Sequence, residues 1–256
     1  DIRNFDTHIV LQSSGKTCYG QILKAQGRYY LFYRINNSRW GYRSSADCVS
    51  WSEETVLVTS NMQYYCKFMP TTQDGLIRIC MYSNPSAADP RIRMGFLDVT
   101  TGEVLDGDCK TVLGTQQISY DRFRVLIDQP EGMVQRMFDV AISEPLSPRI
   151  LYCRFTNKKG TADSTYYLYN AGETVEICKG GAPLMDPKYQ LGASFVDGDT
   201  IAVGRNAEGM DYMELYDYGE SGILVRATVD AKTRGQYDKY RVKKEGENDG
   251  EEDEEY

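Results

Sequence analysis

Short strand-like segments recur in groups of four along this chain, and this recurrence restricts the possible folds more than any other feature. Within the segments, apolar or aromatic residues alternate with polar ones, which is the period of a half-buried β-strand. Turns such as Gln26-Gly27 and Thr100-Thr101-Gly102 separate the segments. No apolar stripe of helical period is long enough for three helical turns. The pattern therefore predicts an all-β fold built from repeated four-stranded sheets.

Four such groups can be assigned along the chain. They cover residues 19–59, 62–113, 134–181 and 189–228, and a linking strand is expected at 123–128. Each group has the length of roughly 40 to 50 residues that is typical of one propeller blade. The spacing favours a β-propeller with four-stranded blades over a β-sandwich, the rival all-β fold.

A propeller must close its ring, and the ends of this chain leave two alternatives open. In the first, residues 237–243 begin a further blade that residues 7–12 complete, so that the ring has about five blades. In the second, the chain is an excerpt of a larger propeller. The sequence does not decide between them.

The first group also contains a distinctive turn, in which Ser45 and Asp47 are followed by Trp51. This spacing resembles the Asp-box of sialidase-like propellers, which has the form Ser-x-Asp-Gly-x-x-Trp. Cys48 stands where that pattern has glycine. The resemblance implies a turn at the rim that holds two strands together, so we expect a structural role for Asp47 and Trp51.

The acidic excess of this chain is confined to its end. The net charge is −8, and residues 245–256 contain eight acidic and no basic residues. Residues 1–244 have 29 acidic and 29 basic side chains, so no nucleic-acid partner is expected. No segment approaches the roughly 20 apolar residues that cross a membrane, so no membrane insertion is expected. We predict a propeller domain at 1–244 and a disordered acidic tail at 245–256.

The seven cysteines are predicted to be free thiols. No pair has Cys-x-x-Cys spacing and the chain has one His, so neither zinc nor another cofactor is expected. Several cysteines alternate with charged neighbours in strand-like segments, which predicts burial on the inner face. Free thiols indicate folding in a reducing cytosol. The cysteines predicted to be buried are Cys66, Cys80, Cys153 and Cys178.

Several segments between residues 60 and 220 follow a recognisable order and spacing. They include Arg78-Ile-Cys-Met-Tyr-Ser-Asn-Pro85, Arg91-Ile-Arg-Met-Gly-Phe96, Phe138-Asp-Val-Ala141, Tyr166-Tyr-Leu-Tyr169 and Met213-Glu-Leu-Tyr216. As a set they resemble the BNR-repeat propellers of polysaccharide lyases of the ulvan-lyase type and of uncharacterised phage and bacterial proteins. The resemblance implies a propeller whose central face handles an extended, usually anionic, polysaccharide.

One loop departs from this family. The lyases carry a His before a Pro that helps to neutralise the uronate, whereas this chain has Ser83-Asn84-Pro85. β-Elimination needs a base and a group that stabilises the developing enolate. Asn84 can donate a hydrogen bond but brings no charge. His8, the one His, lies in a terminal strand-like segment, where we expect an ordinary strand position.

Polar residues on the strands nearest the channel are the candidates for ligand binding. Arginine forks bind carboxylates in a bidentate manner, and tyrosine rings stack on sugar faces. The alternative is that the arginines pair with blade carboxylates such as Asp128 or Glu214. The candidate residues are Arg124, Arg136, Asp139, Tyr189, Arg205 and Asn84.

Three functions remain open from the sequence. The favoured hypothesis is a module that binds a polysaccharide or cell-surface glycan without turnover, such as a phage tail or receptor-binding component acting in a virion or outside the cell. The second is a polysaccharide depolymerase, either a lyase or a glycosidase. The third is a structural propeller that contacts other subunits of a larger assembly.

Overall fold

The computed structural model of the protein describes residues 13–84, 89, 91–155, 164–181, 192–207, 210–219 and 222–230. In these residues the chain forms four sheets, which are arranged as the blades of a β-propeller and are called blades A to D. The described residues contain no α-helix, only a 3-10 turn at Tyr120–Arg122. The predicted all-β propeller is confirmed, and the sandwich alternative is wrong. Residues 7–12, 237–243 and 245–256 lie outside the described residues.

Blade A is a meander of antiparallel strands in chain order. Its strands are β1 (Thr17–Ala25), β2 (Arg28–Ile35), β3 (Arg39–Ser45) and β4 (Thr55–Thr59). On β2, Tyr30, Phe32 and Arg34 lie on one face and are buried, as the alternation predicted. Tyr33 and Ile35 on the other face are buried as well, so exposure alternates only in the first half of this strand. The β1–β2 turn has positive φ at both Gln26 (49°) and Gly27 (70°), the geometry of a tight hairpin turn.

Blade B follows the same meander and has an additional strand. Its strands are β5 (Tyr64–Pro70), β6 (Leu76–Ser83), β7 (Ile92–Asp98), β8 (Glu103–Asp106) and β9 (Val112–Gly114). Two later strands, β10 (Ile118–Ser119) and β11 (Arg124–Ile127), join existing edges. Strand β10 adds in parallel to β4 of blade A, and β11 pairs with the first half of β7. The linking strand predicted at 123–128 is therefore part of blade B.

Blades C and D are four-stranded antiparallel sheets. Blade C contains β12 (Val134–Val140), β13 (Arg149–Phe155), β14 (Ser164–Asn170) and β15 (Glu173–Lys179). Blade D contains β16 (Ala193–Phe195), β17 (Thr200–Ala207), β18 (Met210–Gly219) and β19 (Gly222–Asp230).

The apolar core lies between consecutive blades. One cluster joins blades A and B, where the rings of Phe32 and Phe68 stack with centroids 4.0 Å apart at 11°. A second cluster joins blades B and C and a third joins blades C and D. Blades B and C thus bury both faces, as a propeller requires and a two-layer sandwich does not allow.

The turn that follows β3 is closed by its own side chains. The Asp47 carboxylate accepts the backbone N–H groups of Val49 and Ser50, both at 2.8 Å, and these bonds lower the pKa of Asp47. The Trp51 indole N–H donates to the Cys48 carbonyl at 3.2 Å. Cys48 has a φ of 63°, which is a conformation that favours glycine. These contacts explain the residue spacing of the turn.

All seven cysteines are free. Cys66, Cys80 and Cys153 are buried, as predicted. The prediction is wrong for Cys178, which is only half-buried because it lies on β15, the last strand of blade C. The alternation of side chains identified the correct face, but it carries no information on how far a strand lies from the centre of the molecule.

Candidate functional site

The first strands of blades A, B and C meet around a cavity. Strand β1 packs against β5, and β5 packs against β12. The cavity between them has a volume of about 490 Å³, which is in the usual size range for small-ligand pockets. Its apolar wall includes Trp40, Met137 and Phe138. Its polar lining comes from Tyr19, Gln21, Tyr65, Lys67, Tyr82 and Arg136.

Tyr19 reaches the cavity because β1 is irregular at this point. The β1–β2 register shifts between Cys18 and Gln21, and Tyr19 has a φ of 57°. Such bulges change the direction of a side chain and are frequent near functional sites. The Tyr19 ring meets the Tyr65 ring edge to face with centroids 5.5 Å apart, although 53% of Tyr19 is exposed.

Tyr65 and Tyr82 form the central part of this aromatic wall. Their rings stack with centroids 5.2 Å apart at 24°. The Tyr65 hydroxyl accepts hydrogen bonds from the side-chain amides of Gln63, at 3.1 Å, and Asn84, at 3.4 Å. Both amides act as donors, and the Tyr65 hydroxyl also interacts with the Tyr19 side chain, so this hydroxyl is held in place by three neighbours.

Burial keeps two of the cavity tyrosines protonated. It raises the pKa of Tyr82, and the positive charge of Arg136 offsets part of this effect. Burial also raises the pKa of Tyr19, which the neighbouring Arg34 partly opposes. These hydroxyls are therefore neutral near pH 7 and can donate hydrogen bonds, but they are poor bases.

The charged side chains that line the cavity, Lys67 and Arg136, are both basic. Lys67 Nζ lies 3.5 Å from Asp139 Oδ1, and 40% of the Lys67 side chain is exposed. Asp139 Oδ2 accepts the Ser194 hydroxyl at 2.8 Å and the Phe195 backbone N–H at 3.0 Å. Asp139 therefore connects blade C to β16 of blade D, in addition to its contact with Lys67.

Gln21 connects blades A and B at the edge of the cavity. Its amide nitrogen donates to the Cys66 carbonyl at 2.8 Å, and its amide oxygen accepts the Phe68 backbone N–H at 3.0 Å. One side chain thus satisfies two backbone groups of β5. This bridge fixes the distance between β1 and β5, and hence the width of the cavity at this side.

The structure brings together only some of the candidates from the sequence. Arg136 lines the cavity and Asn84 contacts its Tyr65, while Asp139 contacts Lys67. Arg124 lies outside the cavity and is exposed on β11, where its backbone N–H donates to Asp106 at 2.7 Å.

Arg205 also lies outside the cavity. Its Nη1 forms an ion pair of 2.9 Å with Glu214, whose carboxylate also accepts the Tyr216 hydroxyl. The structural pairing with Glu214 that the sequence left open is therefore present. Tyr189 and His8 lie outside the described residues.

Sequence reasoning missed Tyr19, Gln21, Tyr65, Lys67 and Tyr82. Their position could have indicated most of them, because each blade begins with the strand nearest the centre. Polar and aromatic residues on β1 and β5 were therefore as good candidates as Arg136 on β12. Within the described part of the chain, no group of three or more His, Cys, Asp or Glu side chains could hold a metal ion. The same residues include no helix that is long and apolar enough to pass through a membrane.

Comparison with known proteins supports the fold. No protein-family model and no curated protein sequence matches the chain. Among solved structures, it is similar to a PL25 ulvan lyase bound to -[GlcA(1-4)Rha3S]-, with a TM-score of 0.58 and 14% identity over 83% of this chain and 56% of that one. It is also similar to the polysaccharide lyase Uly1, with a TM-score of 0.53 and 15% identity over 85% of this chain and 50% of that one.

A fungal lectin from Aleuria aurantia, a six-bladed propeller, gives a TM-score of 0.46 with 11% identity over 82% of this chain and 62% of that one. The chain spans only about half the length of the two lyases. At 14% and 15% identity, the similarity to the two lyases shows the fold alone.

Proposed function

We propose that this protein is a glycan-binding propeller that recognises an acidic polysaccharide in the cavity between β1, β5 and β12. The observation that carries the proposal is the cavity itself, which combines a wall of three tyrosines with two basic side chains, Lys67 and Arg136. Aromatic rings pack against sugar faces while their hydroxyls form hydrogen bonds, and arginine forks bind carboxylate or sulfate oxygens. The ulvan lyase with the same fold binds a polymer of glucuronate and sulfated rhamnose, which supports an acidic glycan.

The chemistry of the cavity favours binding over cleavage. Glycoside hydrolysis uses two carboxylates about 5 to 9.5 Å apart, and the described residues that line the cavity include no Asp or Glu. β-Elimination needs a base, whereas burial raises the pKa of Tyr19 and of Tyr82. Asn84 occupies the loop position where the lyase pattern has His, and it donates to Tyr65. The cavity is therefore suited to holding an acidic sugar without breaking it.

The proposal extends to the wider role of the protein. We suggest a phage tail or receptor-binding component that folds in a reducing cytosol and acts in a virion or outside the cell, since all seven cysteines are free. We also propose that the turn at 45–51 is an Asp-box and that the blades are BNR repeats. The bonds from Val49 and Ser50 to Asp47 support that assignment.

The test is to measure binding of the purified chain to a panel of acidic and neutral polysaccharides and to follow unsaturated uronate ends in the same samples. We expect saturable binding to an acidic glycan and no new chain ends. Arg136→Ala should weaken binding by about tenfold or more, since a hydrogen bond to a charged group contributes about 1.5 to 3 kcal/mol. Tyr65→Phe should also weaken binding, because it removes a hydroxyl from the cavity wall.

Arg28→Ala is the matched control. Arg28 is exposed at the start of β2, outside the cavity lining, and its loss removes the same charge from the protein. We expect this variant to bind like the wild type. Rapid formation of unsaturated ends would refute the proposal in favour of a depolymerase, and an absence of binding to every glycan would leave a structural propeller.

A further inference from the structure

Arg34 is a buried cation for which the described residues supply no hydrogen-bond acceptor to two of its nitrogen atoms. It lies on β2 and is only 6% exposed. These nitrogen atoms, Nε and Nη1, are buried, and no described residue forms a hydrogen bond with them. No ion pair in the described part of the chain includes its guanidinium. An uncompensated charge is costly in a protein interior, so this arrangement requires an explanation.

The other two buried arginines in the described part of the chain each donate to several oxygen acceptors, although Arg78 Nε has no partner. The Arg78 guanidinium donates to backbone carbonyls of the β12–β13 loop. Arg93 donates to the Asp89 carboxylate and to the Phe123 carbonyl. Arg34 differs from Arg78 and Arg93 because its guanidinium donates to no oxygen acceptor among the described residues, whereas each of theirs donates to several.

Two rings of the cavity wall flank Arg34. Its guanidinium carbon lies 4.6 Å from the centre of the Tyr19 ring and 5.2 Å from that of the Tyr65 ring. Both rings line the cavity. Attraction between the cation and the rings offsets part of the cost of burial. A ring face cannot replace the oxygen acceptors that two N–H groups need. The positive charge of Arg34 therefore still lacks a negatively charged partner among the described residues.

We propose that Arg34, which Tyr19 covers and Tyr65 flanks, forms an anion-binding subsite at the edge of the cavity that takes a carboxylate or sulfate group. The inference rests on the proposed function, because the anion would be a substituent of the bound glycan. Both kinds of group bring a negative charge and several oxygens, which suit a guanidinium with unused donors. The subsite adds to Arg136 a second, more deeply buried contact for negative charge.

Tyr19 controls access to this subsite. More than half of its surface is exposed, and it lies at the β1 bulge with a φ of 57°. A non-glycine residue in this region carries backbone strain, which is often stored at ligand sites. A rotation of the Tyr19 side chain away from Arg34 opens the guanidinium to the cavity, and the anion then takes the place of the ring.

The experiment uses sodium sulfate as the probe, with the melting temperature as the readout and sodium chloride holding the ionic strength constant. A ligand that binds only the folded state raises its stability in a saturable manner. We expect sulfate to raise the melting temperature of the wild type by a few degrees, and sodium glucuronate to act in the same way. Neutral glucose should have no effect.

Arg34→Met replaces the cation by a shorter, unbranched apolar side chain. We expect it to fold without loss of stability and to lose the response to sulfate, because removing an unpaired buried charge is not costly. Arg28→Met, which removes an exposed charge, should keep the response. Arg34→Lys provides a second variant that keeps the charge; losing one charge-assisted hydrogen bond should weaken sulfate binding about tenfold.

An equal sulfate response in the wild type, Arg34→Met and Arg34→Lys would overturn the proposal. The test is separate from that of the proposed function, because sulfate binding requires no glycan. If sulfate acts through Arg34 and no polysaccharide binds, the glycan function fails and the subsite stands. If Arg34→Met binds an acidic polysaccharide as tightly as the wild type does, the function stands and the subsite is refuted.

Discussion

Arg78 provides the sharpest test of how the blades are held together. Its side chain is 0% exposed on β6, and its guanidinium donates to four backbone carbonyls of the loop between β12 and β13. The shortest of these bonds, 2.6 Å, is accepted by Glu144. One side chain of blade B thus provides hydrogen-bond donors for four carbonyl groups in a loop of blade C. Arg78→Met removes these donors.

The expected loss follows from these contacts. A hydrogen bond to a charged group contributes about 1.5 to 3 kcal/mol, so the four bonds of Arg78 set a high upper limit on the stability that its removal can cost. Three of them are long, at 3.3 Å, and water can replace part of them because the loop is half exposed. Relief from burying the charge offsets a further part. We expect Arg78→Met to lower the free energy of unfolding by about 3 kcal/mol.

Urea denaturation of the wild type and the variant, analysed with a common m-value, measures this difference. Arg28→Met, which removes an exposed arginine, should change stability by less than about 0.5 kcal/mol. Hydrogen exchange should become faster in residues 141–148 of the Arg78 variant before the rest of the blade is affected. A loss below about 1 kcal/mol, or unchanged exchange in this loop, would show that Arg78 does not hold the two blades together.

Three further predictions concern packing, pH and the tail. Phe68→Ala, which removes the ring stacked on Phe32, should cost about 3 to 5 kcal/mol in urea denaturation; a loss under about 1 kcal/mol would contradict the packing of blade A on blade B. Burial raises the pKa of Cys80 and of Cys153 to about 12 from 9.0. The unfolded chain therefore releases these protons first as pH rises above about 9, and stability should fall by roughly 1.4 kcal/mol per pH unit for each thiol. Replacing both by Ala should reduce that slope in urea titrations between about pH 9 and 11; an unchanged slope would refute this assignment. Truncation after Lys244 removes the predicted acidic tail and should leave the melting temperature nearly unchanged, whereas a large drop would show that the tail belongs to the fold.

The strands could be predicted because their signal is local. Alternation places Tyr30, Phe32 and Arg34 on one face of β2 whatever lies opposite, and the linking strand predicted at 123–128 contains β11, Arg124–Ile127. The Gln26-Gly27 turn follows equally from neighbouring residues. Such features depend on a few consecutive side chains, and these are what a sequence displays directly.

The ligand-binding residues could not be ranked in this way. Arg124, Arg136 and Arg205 resemble one another as basic residues on predicted strands. In the structure, one lines the cavity, one is exposed on β11 and one pairs with Glu214. Which of these applies depends on the distance of the strand from the centre and on the neighbours that the next blade supplies. Neither quantity is encoded in the spacing of residues along one strand.

By itself, then, the sequence determined an all-β chain of repeated four-stranded units with free thiols. The alternation of apolar and polar residues, the turn residues and the spacing of cysteines can each be read from a few neighbouring positions. Only the tertiary structure decided that Tyr19, Tyr65, Tyr82 and Arg136 share one cavity and that Arg34 lies against two of their rings. These residues come from five different strands, and a bulge in β1 turns Tyr19 toward the others. The packing of three blades brings them together, because contacts between distant segments arise from burial of the blade faces and not from local preference.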